Sequence, residues 1–199
     1  MQALSQQILA HVEHLPEGTP LSAKALLHLG RRSAVDQALT RLVKRRRLLR
    51  VSRGAYVRPV DTRFGTRAPS AETVVIGIAT SRGEVIAHHG AAAANGLGLT
   101  TQVPVRQVYL TSGRTRQLKL GAQVVELQHA PPWQLFKSGQ PAGEAVRALA
   151  WLGPTQTKMA LASLKRTLPN EELQQLASVR STFPGWLAQQ VGEALVANG

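Results

Sequence analysis

LSAKALLHLGRRSAVDQALTRLVKRRRLLRVSRGAYVRP, residues 21–59, is the stretch from which the rest of the chain is read. Residues 21–27 predict a short helix with Ser22 as N-cap, and Leu29-Gly30 predicts its end, since glycine tolerates the left-handed backbone of a sharp helix exit. A second helix is predicted from Ser33, with Ser33 and Asp36 as a shortened capping box. Val35, Leu39 and Leu42 recur at i, i+4 and i+7 and form one apolar stripe at helical period. Gln37, Arg41 and Lys44 fall at the same spacing on the opposite side, with Ser33 and Thr40 beside them. Residues 48–51 and 55–58 read as strands joined at Ser52-Arg53-Gly54, a composition that suits a hairpin. Helix, turn, helix and basic hairpin describe a winged helix-turn-helix.

Charge concentrates in the same place. Between Arg31 and Arg58 ten basic residues face one acid, Asp36, so the segment carries +9 of the chain's formal +13. Cationic charge held this tightly is the footprint of a phosphate-binding surface. Arginine and lysine suit guanine edges and phosphates, and a glutamine amide can pair with adenine through two hydrogen bonds. Gln37, Arg41 and Lys44 are therefore expected in a major groove, with Ser33 and Thr40 on nearby phosphates. Arg53 is expected in the adjacent minor groove, and Arg31, Arg32, Arg45 and Arg46 on the backbone.

The 199 residues allow one large domain or two small ones, and 43 % hydrophobic content with only 4 % aromatic implies a core of Leu, Val, Ile and Ala. With no cysteine, no disulfide, thiolate zinc site or cysteine nucleophile is available. Neither a secretory signal nor a membrane span is expected, because no apolar run approaches the roughly 20 residues a span needs. The expected setting is the cytoplasm.

Residues 1–15 predict a first helix with Leu4, Ile8, Val12 and Leu15 on one face, completing a DNA-binding domain over residues 1–59. Residues 60–69 (VDTRFGTRAP) lack periodicity and read as a linker, with Phe64 pinning it to one domain and Arg63 and Arg67 read as solvated in preference to grazing a DNA backbone. Residues 70–199 read as a mixed domain. It should hold a helix over 70–80, strands at 84–87, 105–111, 116–120 and 123–129, and a short helix at 90–95. Helices at 144–152, 155–167, 170–178 and 184–196 should follow. The expected fold class is α+β: a winged helix-turn-helix, then a small, mostly antiparallel sheet with C-terminal helices.

Catalytic chemistry has little to stand on. His88 and His89, with Glu84 and His129, are the best excuse for a metal, but neighbours on a strand point to opposite faces and no His-x-x-x-His spacing exists. A magnesium nuclease would want clustered acids, and the region after the linker has seven scattered Glu and no Asp. Ser112-Gly113-Arg114 reads as a solvated turn in preference to an anion loop. No catalytic residue, cofactor or metal is expected, and the protein is expected not to be an enzyme.

The block SAVDQALTRLVKRRRLLRVSRGAYVRP, followed by GAAAANGLGLTTQVPVRQVYLTSG and LKLGAQVVELQHAPP, resembles the AbiEi-type antitoxins of bacterial toxin–antitoxin systems, from about Ser5 into the helices after Trp151. The resemblance implies a repressor that binds double-stranded DNA at repeats in its own promoter. Because one winged domain reads only a short site, cooperative binding to two repeats is expected. The resemblance also implies a C-terminal domain that counteracts a cognate, nucleotidyltransferase-like toxin. The alternative is a stand-alone winged-helix transcription regulator whose second domain binds a ligand or a protein partner.

Overall fold

The structure, a computed structural model, describes residues 3–195, and its fold is α+β. Its internal contacts form two compact units, one reaching Glu84 and taking in Arg116–Glu126, the other comprising Val85–Thr115 and the residues from Leu127 on.

The first unit opens with α1 (Leu4–Glu13), whose Ile8 and Val12 are buried. After β1 (Leu21–Ser22) comes a single 3-10 turn, Ala23–Leu26, in place of the helix expected from Leu21, although Ser22 does cap it through Ala25 N–H at 3.2 Å. Leu21 is held in the extended backbone by pairing with Tyr56 across a strand, which shortens the helical segment. Gly30 does not take a left-handed conformation, so the break there does not use glycine's freedom. α2 (Arg32–Lys44) begins one residue before Ser33, with Arg31 as N-cap and no side-chain cap. The expected capping box is absent because Asp36 pairs with Arg32 instead. β2 (Leu49–Ser52) and β3 (Ala55–Val57) turn at Arg53-Gly54, where Gly54 supplies φ 74°, and the antiparallel order is β1-β3-β2. Ile8, Val12, Leu26, Val35, Leu39, Leu42, Leu48 and Tyr56 form the core.

Residues 60–69 are not an irregular linker. β4 (Val60–Thr62) and β5 (Gly65–Arg67) make a second hairpin, and Phe64 stands 86 % exposed at its tip and pins nothing. α3 (Ala71–Arg82), capped by Ser70 and closed by Gly83 at φ 65°, belongs to the first unit. It approaches the Gly18–Pro20 turn closely: a Cβ on Gly77 would lie 2.8 Å from Pro20 Cδ and 3.0 Å from Gly18 O.

The second unit begins with β6 (Ile86–His88), α4 (Gly90–Gly96) and β7 (Gln107–Thr111), with β6 and β7 antiparallel. β8 (Arg116–Leu120) and the start of β9 (Gln123–His129) return to the first unit, where β8 runs beside β2. The end of β9 lies in the second unit. A 3-10 turn at Pro132–Leu135 leads into α5 (Pro141–Thr167), broken at Gly153 (φ 75°, ψ 176°) before Pro154, as those two residues predict. α6 (Asn170–Ser178) and α7 (Gly185–Leu195) pack on α5 through Leu161, Leu164, Leu176, Leu187 and Val191. The parts of the expected helices at Met1, Gln2 and Val196 lie outside the described residues. No helix among the described residues is long and apolar enough to cross a membrane.

Arg147 of α5 is 1 % exposed. Its guanidinium donates to the carbonyls of Gln134 and Phe136, each at 3.1 Å, and to Glu144 Oε1 at 2.7 Å, tying α5 to the turn before it. His88 Nδ1 meets the same carboxylate oxygen at 3.3 Å. Burial pushes the Glu144 pKa up, but the His88 hydrogen bond and the Arg147 charge outweigh it and hold it below its ordinary value.

Two stability measurements check these contacts. Gly77→Ala should cost about 1–3 kcal/mol in chemical denaturation, because the α3–turn approach has no room for a methyl group. Glu144→Gln should cost about 3 kcal/mol by leaving the Arg147 charge buried without its counterion. Since the Glu144 pKa is lowered on folding, its stabilisation is present above the ordinary value of 4.5 and is lost as pH falls through the lower folded value. Glu144→Gln should remove that part of the acid slope.

Candidate nucleic-acid interface

α2 presents two faces because its apolar residues repeat at helical period. Val35, Ala38, Leu39 and Leu42 are buried, while Ser33, Gln37, Thr40, Arg41 and Lys44 are exposed on the other side. Arg31 and Arg32 stand exposed at the start of the helix, Arg45 and Arg46 at its end, and Arg53 at the turn of the β2–β3 hairpin. All ten sequence-predicted residues thus reach the surface of the first unit.

Two of them are already engaged. Arg32 Nε donates to Asp36 Oδ2 at 2.9 Å, with the two side chains 61 % and 48 % exposed. An ion pair this exposed is worth less than about 1 kcal/mol, so Arg32 can exchange Asp36 for a phosphate at small cost. Thr40 Oγ1 donates to the Asp36 carbonyl at 2.8 Å. Its hydroxyl proton is turned back onto the helix, away from the outward position expected of it.

The end of α2 is unusual. Arg46 N–H donates to Val43 O and Arg47 N–H to Leu42 O, both at 2.9 Å, the paired bonds of a Schellman ending. Arg46 itself takes φ 57°, the left-handed position normally filled by glycine. The backbone accepts that strain and gains a fourth consecutive cation. Arg45, Arg46, Arg47 and Arg58 then converge on a cleft of about 300 Å³ whose acidic members are Glu13 and Asp61. Arg47 and Arg58 were not in the expected binding set. Their signal was charge alone, without the helical spacing that marked Arg41.

The second unit keeps its candidate groups apart. His88 closes β6 and faces Glu144, whereas His89 is the N-cap of α4 and accepts from Ala91 N–H at 3.2 Å, with its pKa lowered by burial. His129 Nδ1 lies 2.9 Å from Gly113 O, and Glu84 pairs with Arg116 in the first unit. Among the described residues no group of three or more His, Asp or Glu side chains is placed to hold a metal. The 112–114 loop spends Gly113 N–H on Thr111 Oγ1 and Ser112 Oγ on Val85 N–H, which leaves it a turn. A cavity of about 450 Å³ opens between His88, His89, Pro104, Val105, Arg106 and Tyr109.

Arg46 separates fold from function. Arg46→Gly should raise the unfolding free energy by about 0.5–1 kcal/mol, relieving the left-handed arginine, while weakening any polyanion bound at the cleft. Thermal melting and a salt-dependent DNA titration on the same variant check both halves.

No curated protein matches the sequence. Among solved structures, the crystal structure of the RV2827C protein from Mycobacterium tuberculosis superposes with a TM-score of 0.53 at 14 % identity, covering 100 % of this chain and 78 % of that one. At that identity the likeness concerns the fold alone. Residues 7–176 match the family described as "Family of unknown function (DUF6088)", and the chain belongs to that family.

Proposed function

We propose that the chain is a DNA-binding antitoxin that represses its own toxin–antitoxin operon. In this reading α1, the 3-10 turn, α2 and the β2–β3 hairpin act as a winged helix-turn-helix. The observation that carries the DNA half is the exposed face of α2, where Gln37, Arg41 and Lys44 line up opposite a buried apolar stripe and arginines flank both helix ends. That face supplies base-reading donors, and Arg31, Arg32, Arg45 and Arg46 supply backbone contacts. Ser33 and Arg53 complete the contact set, at a phosphate and in a minor groove. The protein works by binding in the cytoplasm, without catalysis or cofactor, and cooperatively where two promoter repeats are present. The antitoxic half, including a cognate toxin as partner, rests on the resemblance of residues 90–132 to the AbiEi-type antitoxins.

One observation favours a second reading, a regulator that answers to a small ligand. The 450 Å³ cavity in the second unit has a mostly apolar surface, with His88, His89, Arg106, Gln107 and Tyr109 as polar members, which is the usual make-up of a ligand site. A toxin encoded beside this gene and neutralised on co-expression supports the antitoxin. Release of DNA by a small molecule, with no such toxin, supports the regulator.

A gel-shift titration on the DNA upstream of this gene, with random DNA as competitor, tests the shared core of both. Arg41→Ala should cost about 1–3 kcal/mol on the specific duplex and little on random DNA. Arg45→Ala should weaken both about equally and reduce the salt slope by about one. Equal behaviour of the two variants on both DNAs would remove the base-reading role from Arg41.

A further inference from the structure

The β4–β5 hairpin carries a side chain that the fold does not use. The chain is poor in aromatics, yet Phe64 is 86 % exposed at the hairpin tip and belongs to no core. The tip is held in shape. Thr62 Oγ1 donates to Gly65 O at 2.7 Å and accepts from Phe64 N–H at 3.2 Å, and one step down Thr66 Oγ1 donates to Asp61 Oδ1 at 3.0 Å. The guanidinium of Arg63 rests 4.6 Å from the ring centroid. At the hairpin base, Glu17 accepts from Arg67 Nη1 and from Ser70 N–H, each at 3.4 Å, which anchors the hairpin to the rest of the first unit.

Placement gives the ring a context. Asp61 and Thr66, which pair across the hairpin, also line the cleft of Arg45, Arg46, Arg47 and Arg58. Phe64 sits in the turn beyond them, two residues along the chain from Thr66 and so up to roughly 7 Å past that pair at the rise of a strand. A preorganised apolar ring with a cation against it therefore flanks the densest positive charge of the unit. Its occupant must be anionic and must also offer a slot for a flat apolar group. Duplex DNA meets both demands, because phosphates border stacked bases that a phenylalanine can part from the minor groove, kinking the helix.

We propose that the β4–β5 hairpin is a second DNA-contacting element, in which Phe64 wedges into a base step beside the site bound by α2 and Arg63 leaves the ring for a phosphate. The inference rests on the DNA-binding reading above and deepens it: bound DNA is bent, and residues 60–67 bend it.

The test uses the full chain and a duplex copied from the DNA upstream of this gene, dye-labelled at both ends so that energy transfer reports the bend. The wild-type complex should bring the ends together. Phe64→Ala should melt at the wild-type temperature, bind about tenfold more weakly and leave the duplex straight. Phe64→Trp should restore the bend, with its indole fluorescence quenched on binding. A straight wild-type complex, or a Phe64→Ala complex as bent and as tight as wild type, would overturn the inference while leaving DNA binding intact. A wild-type chain that random competitor strips from the duplex would take the specific-repressor reading down, and this inference with it.

Discussion

α2 has to bury one face while keeping cations on the other, and the first unit is arranged around that constraint. Val35, Ala38, Leu39 and Leu42 are fully out of water or nearly so. Burial of a Val or Leu side chain contributes about 1.5–3 kcal/mol, set against the mutual repulsion of ten basic residues in the adjoining sequence. Ile8 and Val12 of α1, Leu26 of the 3-10 turn and Leu48 and Tyr56 near the hairpin supply the other side of that contact. A helix turns about 100° per residue, so a shift of one position in the stripe would carry Arg41 or Lys44 toward the core. The packing of the apolar face thus fixes the direction of the cationic one.

The two units handle charge in opposite ways. The first keeps every arginine from Arg31 to Arg58 on the surface, with Asp36 as the one acid in that segment, and sets only the largely buried Arg116 against Glu84. The second draws one arginine fully inside, and Arg147 is tolerated there because two carbonyls accept from its Nη1 and Glu144 accepts from its Nη2. Removing a single partner from such a set leaves a charge with no solvent to turn to. Small residues make the arrangement possible: Gly90 lies so close to α5 that a Cβ there would come within 2.5 Å of the Arg147 carbonyl oxygen.

Much of this could be read from the chain, and the exceptions share a cause. Val35, Leu39 and Leu42 announced α2, and Gly121 between two alternating runs announced β8 and β9, because these signals are local and periodic. The capping box failed where two residues competed for Asp36 and Arg32 won it. β4 and β5 have three residues each, too few for a period of two to show, so a hairpin read as a linker. Membership of α3 in the first unit depends on Gly18 and Gly77 meeting across a long stretch of sequence, for which spacing gives no hint. For the candidate interface, helical spacing marked Gln37, Arg41 and Lys44, whereas Arg47 and Arg58 became notable only once folding had gathered them at one cleft, and Phe64 took its exposed place only once the β4–β5 hairpin had formed. Arg147 reads as a surface residue until the turn that receives it is known.

The path of the chain between the units has its own consequence. It leaves the first unit after Glu84, returns at Arg116, and leaves again after Glu126, within β9. During synthesis the first unit cannot be completed by its own leading segment, and must wait for Arg116–Glu126 to emerge from the ribosome after Val85–Thr115 has already been made. Maturation of the α2 surface is then coupled in time to translation of the middle of the chain, and a nascent protein stalled before residue 116 would display its arginines on an unfinished scaffold.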